Sequence, residues 1–210
     1  MVAEAAPGDE AVVSAVKHSG HGGDPADVRI EVVEHEGGVT ICAVYPGDGN
    51  RCQPGGGHMN TRNNDVEVQF TVKVPRGVTF DGNTVNGDVE ASNLAGPVDI
   101  SSVNGGARLE TSGGEASAST VNGSVTAVVH ALGERPMRFR TVNGGVTLSL
   151  PDGLNADFEG RTVNGAIETD FPISVTGRMS PRHLVGAIGR GGRRLDVETV
   201  NGSIRLRKLP

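Results

Sequence analysis

Aromatic residues are scarce in this 210-residue chain, which has no Trp, one Tyr and five Phe. Hydrophobic residues as a whole make up only 36% of the sequence, which is below the usual range for globular domains. No apolar run approaches the roughly 20 residues that a membrane-spanning helix requires, which excludes an integral helical membrane protein. The composition therefore predicts a thin core built from small and β-branched side chains.

Clustered positive charge is also lacking, since the net charge is −6 and the sequence pI is near 5.5. The one basic stretch, from Arg190 to Lys208, is interrupted by acidic residues. Nucleic acids favour proteins with clustered Lys and Arg, so we expect no nucleic-acid partner.

Patterns typical of catalytic and metal sites are absent as well. The sequence has no phosphate-binding loop of the Gly-x-x-x-x-Gly-Lys-Ser/Thr type and no Gly-x-Ser-x-Gly nucleophile elbow. Its carboxylates are scattered over outward positions, whereas a glycosidase needs a defined pair. Its six His residues do not show the spacing of a zinc site. We therefore expect a protein that is not an enzyme and that uses no metal and no cofactor.

The sequence also lacks a visible export signal. The first ten residues have neither the basic region nor the apolar stretch of a secretory signal peptide. Either the protein stays in the cytoplasm, or it is exported and its signal was removed or lies upstream. Cys42 and Cys52 favour export, because they flank a turn-rich stretch that suits a disulfide-linked hairpin, and disulfides persist in oxidising compartments. Two free thiols are the alternative.

Glycine, in contrast, is abundant, with 32 residues, and much of it belongs to a repeat. The tripeptide Val-Asn-Gly occurs six times, and its asparagines are 18, 18, 21, 21 and 37 residues apart. The six repeat corners are Asn86 and Gly87, Asn104 and Gly105, Asn122 and Gly123, Asn143 and Gly144, Asn164 and Gly165, and Asn201 and Gly202. Glycine after Asn is expected to supply a positive φ at each corner. The last spacing is close to two periods, which predicts a degenerate copy at Leu184–Ile188.

Side chains alternate between apolar and polar on both sides of each corner. In the first repeat, apolar Val89 and Ala91 flank polar Glu90, and apolar Phe80 lies on the other side of the corner. A Ser or Thr precedes the Val of every repeat. Alternation with a period of two indicates β-strands, so each repeat is predicted to form two short strands and two turns.

Two architectures fit this pattern. Asn-Gly between alternating strands is typical of type I′ hairpins, which would give an antiparallel β-meander. Alternatively, each stretch of 18–21 residues forms one coil of a single-stranded, β-helix-like solenoid, in which equivalent residues stack about 4.8 Å apart. The solenoid also explains why Thr and Val recur, because like residues then stack on like and Asn amides can hydrogen-bond along the stack. We therefore predict an all-β fold with a β-solenoid, in which a bend at the corner turns each Val inward.

The rest of the chain is predicted to form two segments. Residues 1–25 are rich in Gly, Ala and Asp and are interpreted as a mobile extension with a short helical turn at Glu10–Lys17. Residues 26–80 are interpreted as an N-terminal β region that caps the repeats, which occupy residues 81–210. Within this region, Val28–Val33 and Val39–Val44 predict a hairpin, and Asp65–Val74 predicts a strand.

The repeated Thr-Val-Asn-Gly blocks, each followed by a small residue and then Val or Ile, resemble the bacterial putative-adhesin domain of unknown function, a β-strand-repeat-containing family. The closing stretch from Gly186 to Leu206 resembles the same family, and the likeness covers roughly residues 26–210. The resemblance implies a β-solenoid and an exported or cell-envelope setting. It brings no catalytic or ligand-binding residues to this sequence.

The expected function is therefore that of a non-enzymatic cell-envelope or surface protein, which presents a rigid β-solenoid to an unidentified protein or glycan partner. Two other interpretations stay open. One is a carbohydrate-active enzyme built on a β-helix, and the other is a cytoplasmic or membrane-associated regulatory scaffold.

Overall fold

The computed structural model describes residues 1–20, 23–60, 64–112, 115–175 and 180–209. Within these ranges the regular structure is β-strand, apart from one short 3₁₀ helix at Pro25–Asp27. The strands in chain order are β1 Val2–Ala5, β2 Val12–His18, β3 Arg29–His35, β4 Gly38–Val44, β5 Arg51–Gln53, β6 Gly56–His58, β7 Glu67–Val74, β8 Phe80–Asn86, β9 Val89–Leu94, β10 Val98–Asn104, β11 Ala107–Thr111, β12 Ala116–Asn122, β13 Val125–Val129, β14 Met137–Asn143, β15 Val146–Leu150, β16 Ala156–Asn164, β17 Ile167–Thr169, β18 Ile173–Val175, β19 His183–Ile188, β20 Arg193–Asn201 and β21 Ile204–Lys208.

The chain forms two compact units, whose bounds differ from the predicted ones. The first unit contains Met1–Val12 together with the residues from Val72 onward, and the second contains Val13–Thr71. The prediction of a mobile extension over residues 1–25 was wrong. Residues 2–5 form β1, which pairs in parallel with β9, and Ala3 is fully buried. The predicted helical turn is also not found, because β2 occupies most of that stretch.

Parallel strands build the first unit. β8, β10, β12 and β14 lie side by side in one sheet, and β9, β11, β13 and β15 lie side by side in a second. Each coil thus contributes one strand to each sheet, and the Asn-Gly corner connects the two strands. An antiparallel meander would pair successive strands head to tail, so the parallel pairing excludes it. The predicted β-solenoid is confirmed.

The order of the coils in space differs from their order in the sequence. The last repeat, β20 and β21, lies between the coil of β14 and β15 and the coil of β16 and β17. β20 pairs in parallel with both β14 and β16, and β21 pairs in parallel with both β15 and β17. The stack order of the corners is therefore Asn86, Asn104, Asn122, Asn143, Asn201 and Asn164.

The predicted degenerate coil at Leu184–Ile188 was wrong. These residues belong to β19, which pairs antiparallel with β16, and β18 pairs antiparallel with β19. The first sheet therefore has eight strands in the order β18-β19-β16-β20-β14-β12-β10-β8. The long spacing between the last two Val-Asn-Gly copies reflects this fold-back and the insertion of β20, not two repeat periods.

The core of the first unit lies between the two sheets. Inward columns such as Val89, Val125 and Val146 are fully buried, as the alternation predicts. The core also contains aromatic rings, since four of the five Phe side chains are buried. A Cβ on Gly160 would overlap the ring of Phe158, so the ring occupies space that a glycine two residues later leaves free. The same arrangement occurs in β8.

The second unit contains two hairpins. β3 and β4 pair antiparallel with Arg29 opposite Val44, which confirms the predicted hairpin, and β5 pairs antiparallel with β6. Cys42 of β4 and Cys52 of β5 are joined by a disulfide, with their Cα atoms 5.7 Å apart. The disulfide therefore connects the two hairpins. Tyr45 donates a hydrogen bond of 3.0 Å to the carbonyl of Val66.

Candidate functional site

The six corner asparagines form one continuous ladder. From the second corner onward, each Asn Nδ2 donates to the Oδ1 of the preceding Asn in the stack, which gives five bonds of 2.8–3.0 Å. Asn201 takes its place in this ladder between Asn143 and Asn164, although it is the last in sequence. The ladder therefore holds all six coils in register.

In five of the six repeats, the Ser or Thr before the Val links its corner to the neighbouring one, whereas Thr84 in the first coil donates to the carbonyl of Asn86 in its own strand. Thr141 Oγ1 donates to the carbonyl of Gly123 at 2.7 Å. Ser102, Thr120, Thr162 and Thr199 make the equivalent bond at 2.7–2.9 Å, and all of these side chains are buried. A buried hydroxyl group requires a hydrogen-bond partner, and the glycine carbonyl of the neighbouring corner supplies one, so Ser or Thr fits this position in each of these coils.

Glycine is required at the corners for a reason that differs from the predicted one. Among the described corners, φ lies in the left-handed range only at Gly87 (+103°) and, at its border, Gly105 (+158°). A Cβ would overlap the carbonyl oxygen of the adjacent corner glycine at Gly105, Gly123, Gly144, Gly165 and Gly202. Close approach of neighbouring backbones, rather than a positive φ, therefore excludes larger residues at five of the six corners.

The Val of each repeat points outward, so the predicted inward bend was wrong. The exposed fraction ranges from 38% to 62% for Val85, Val103, Val121, Val142, Val163 and Val200. Strict alternation explains this orientation, because the preceding Ser or Thr takes the inward position that reaches the glycine carbonyl. These six side chains, called the Val row below, run along the outer face of the eight-stranded sheet.

An ion-pair network lies on the same face. Glu159 is its centre and pairs with Arg161, with Arg194 at 3.0 Å and with His183 at 3.4 Å. Desolvation acts to raise the pKa of Glu159, but Arg161, His183 and Arg194 outweigh it and hold the pKa below its usual value. Glu159 is therefore a stable carboxylate at neutral pH.

A groove of about 650 Å³ lies over β14, β20 and β16. Val142, Val163 and Val200 of the Val row line it, together with Arg140, Arg161, Arg182, His183 and Glu198. This set of residues is called the basic groove below. Arg140 pairs with Glu198 at 3.1 Å, whereas the Arg182 guanidinium has no ion pair within the described part of the chain. Arg161 is paired with Glu159 and Arg140 with Glu198, so the Arg182 guanidinium supplies the positive charge of the groove that no carboxylate among the described residues pairs with.

The opposite end of the same face is acidic. Asp99 of β10 lies directly beside Asp81 of β8 in the sheet. Desolvation, followed by the charge of Asp81, raises the pKa of Asp99 above its usual value. The outer face thus carries one apolar row with negative charge at one end and positive charge at the other.

The residues of the basic groove were not identified from the sequence. They come together because β20 inserts between β14 and β16 and because β19 folds back against β16. One feature of the sequence does point to the groove. The outward-facing position two residues before the Val of each repeat changes from Ser101 and Ser119 to Arg140 and Arg161. The sequence gives no indication that Arg182 lies beside these two residues.

The remaining predicted sites have simple outcomes. The Asn-Gly corners lie where the two sheets join and contribute structure through their ladder. Among the described residues, no three His, Cys, Asp or Glu side chains are grouped so that they could hold a metal ion. No described helix is long and apolar enough to cross a membrane.

The fold and this face define a class of protein: a repetitive parallel β-solenoid whose outer sheet face presents a regular array of side chains. The chain belongs to the Toastrack DUF4097 family, whose model matches residues 26–207. The family resemblance noted in the repeat blocks is therefore confirmed.

A solved structure of similar fold is that of a putative cell adhesion protein from Clostridium sporogenes ATCC 15579. The two chains are 9% identical, with a TM-score of 0.56 over 99% of this chain and 87% of that chain. At this identity the likeness shows the fold alone. No curated protein matches this chain.

Proposed function

We propose that this protein is a non-enzymatic interaction protein of the cell envelope and that it binds an acidic glycan in the basic groove. The observation that carries the proposal is the groove itself, in which an apolar floor of Val142, Val163 and Val200 is bordered by three Arg side chains. Guanidinium groups bind carboxylates and phosphates with paired hydrogen bonds, and the Val methyl groups offer van der Waals contact to the C–H surfaces of a sugar ring.

The charge distribution supports an anionic ligand. The chain has a net charge of −6, so a locally positive groove repels the ligand less than the rest of the surface does. Arg182 has no ion pair among the described residues and is available to a ligand without breaking an existing contact. Arg140 is tied to Glu198, which fixes its position at the edge of the groove.

The carboxylates beside the groove support a binding role over glycoside hydrolysis. A glycosidase needs one carboxylic acid whose pKa is raised so that it can protonate the leaving group. Arg161, His183 and Arg194 instead lower the pKa of Glu159, and Glu198 is engaged by Arg140. Both carboxylates position Arg side chains, and the lowered pKa of Glu159 keeps that carboxylate ionised.

A cell-envelope location is part of the proposal. The Cys42–Cys52 disulfide is of the kind that persists in oxidising compartments, and the neighbour of similar fold is described as a putative cell adhesion protein. A membrane-impermeant biotinylation reagent applied to intact host cells tests the location. Labelling of the protein is expected, and labelling only after lysis would place it in the cytoplasm.

A glycan array with neutral, uronic acid and phosphate-bearing glycans, run beside a reducing-sugar assay, tests the function. We expect salt-sensitive binding to the acidic glycans and no release of reducing ends. Arg182→Ala should weaken binding about 10-fold, which is typical of losing hydrogen bonds to a charged group. Arg108→Ala on the other sheet is the matched control and should leave binding unchanged. Release of sugar ends, or binding to neutral glycans alone, would overturn the proposal.

A further inference from the structure

One repeat corner lies at the end of the stack and lacks a contact that the other corners share. At five corners the glycine N–H donates to the Asn carbonyl of the following coil, at 2.8–3.0 Å. These donors are Gly87, Gly105, Gly123, Gly144 and Gly202. Gly165 has no following coil, and its N–H makes no hydrogen bond within the described part of the chain.

The side chain of Asn164 is also held by fewer hydrogen bonds than the asparagines inside the stack. Inner asparagines such as Asn122 both donate to one neighbour in the ladder and accept from another. Asn164 makes a single ladder bond, from its Nδ2 to Asn201 Oδ1 at 2.8 Å. Both Asn164 and Gly165 are exposed to solvent.

We propose that Asn164 and Gly165 form a self-modification site at which the protein deamidates. The backbone nitrogen of Gly165 loses its proton and attacks Cγ of Asn164, and the new N–Cγ bond closes a succinimide. The Cγ–Nδ2 bond breaks, and the leaving amide nitrogen takes up one proton and departs as ammonia. One water molecule then opens the ring and gives an aspartyl or isoaspartyl residue. Water is the only co-reactant, and no atom is oxidised or reduced.

The other five corners have the same Asn-Gly sequence, but their structure slows formation of the succinimide. Their attacking nitrogen is engaged in an inter-coil hydrogen bond, which must break before the ring can close. Asn86 is the informative comparison, because it also has only one ladder bond, yet Gly87 N–H donates to Asn104 at 2.8 Å. As far as the described residues show, the corner at Asn164 alone combines a glycine N–H that makes no hydrogen bond with a single ladder bond.

The modification changes the hydrogen bonding and the charge at this end of the Asn ladder. A carboxylate at position 164 accepts hydrogen bonds but cannot donate one to Asn201 Oδ1. It also adds a negative charge at the end of the Asn ladder. The proposal does not depend on the groove or on its ligand, because it follows from the stack order of the corners alone.

Peptide mapping by mass spectrometry tests this site. The folded wild-type protein is incubated at mildly alkaline pH, and the mass change from amide to acid is followed in peptides that contain each of the six corners. We expect Asn164 to convert about tenfold faster than Asn86, as one lost hydrogen bond implies. Asn164→Gln should remove the early conversion, because the longer Gln side chain would have to close a six-membered ring, which forms much more slowly than the five-membered succinimide.

A parallel incubation in urea separates structure from sequence. All six corners should convert at comparable rates in the unfolded chain, since each is Asn-Gly preceded by Val. Conversion of Asn86 or an inner corner as fast as Asn164 in the folded protein would overturn the proposal. A preference for Asn164 of equal size in urea would do so as well, because local sequence would then explain it.

Discussion

Replacing Gly144 by Ala tests whether close backbone contact fixes glycine at the corners. The added Cβ would overlap the carbonyl oxygen of Gly123 in the adjacent coil. That carbonyl also accepts the 2.7 Å hydrogen bond from Thr141, so it cannot shift without weakening this bond. The φ of Gly144 is not in the left-handed range, so backbone strain is not part of the expected effect.

The expected loss of stability follows from these contacts. Overpacking typically costs about 1–3 kcal/mol, and loss of the hydrogen bond to Gly123 costs about 0.5–1.5 kcal/mol. Gly144→Ala should therefore lower the free energy of unfolding by about 2–4 kcal/mol. Gly106→Ala is the matched control, because its Cβ would meet Ser124 O at an ordinary 3.4 Å and its φ is not left-handed. Its effect should stay within about 1 kcal/mol.

Urea denaturation followed by far-ultraviolet circular dichroism measures these differences. A third variant, Gly87→Ala, separates the two explanations for glycine, because Gly87 has a φ of +103° and nothing within 4 Å of the added Cβ. It should cost about 1–2 kcal/mol, the usual penalty for a left-handed residue other than Gly. The reasoning would be refuted if Gly87→Ala were the most destabilising variant, or if Gly144→Ala and Gly106→Ala had equal effects.

Three further predictions concern the hydroxyl column, the acidic end and the second unit. Thr141→Val should destabilise the protein by about 0.5–1.5 kcal/mol, because the hydrogen bond to the Gly123 carbonyl is lost. Thr147→Val on the outer face of the second sheet should stay within about 0.5 kcal/mol in the same urea assay. The raised pKa of Asp99 means that the folded state binds more protons, so stability falls as pH rises from the ordinary aspartate pKa through the higher pKa of the folded state. Asp99→Asn should remove this part of the pH dependence, and a wild-type-to-variant difference that is constant across acidic pH would contradict it. Reduction of the disulfide should destabilise the second unit by about 2–4 kcal/mol, read from the fluorescence of Tyr45, the chain's single tyrosine in the absence of Trp; an unchanged transition would contradict this.

Much of the solenoid could be predicted from the sequence, because the same pattern of apolar and polar residues recurs in every coil. Alternation with a period of two correctly placed Val89 and Ala91 in the core, and the Ser or Thr before each Val indicated stacking of like residues. The direction of the Val itself was misjudged. Alternation alone gives the right answer, since the inward position belongs to the residue that can donate to the neighbouring glycine carbonyl, as Thr141 does.

The stack order could not be predicted, because the repeats are nearly interchangeable. The coil of Asn201 offers the same Thr, Asn and Gly contacts to any neighbour, so sequence order is the natural expectation. The structure departs from it where β19 folds back along β16, which leaves the other edge of β16 to β20. The basic groove depends on this departure, and for that reason Arg161 and Arg182 could not be assigned to it in advance.

Methyl NMR of the Val residues tests the proposed binding face most directly. The spectrum of the valine-labelled protein is recorded while an oligosaccharide of uronic acid is added. We expect the methyl signals of Val142, Val163 and Val200 to shift in a saturable manner, while those of Val85 at the acidic end stay unchanged. Shifts confined to Val85 or to buried core valines, or no shifts at all, would contradict the assignment of the basic groove as the binding site.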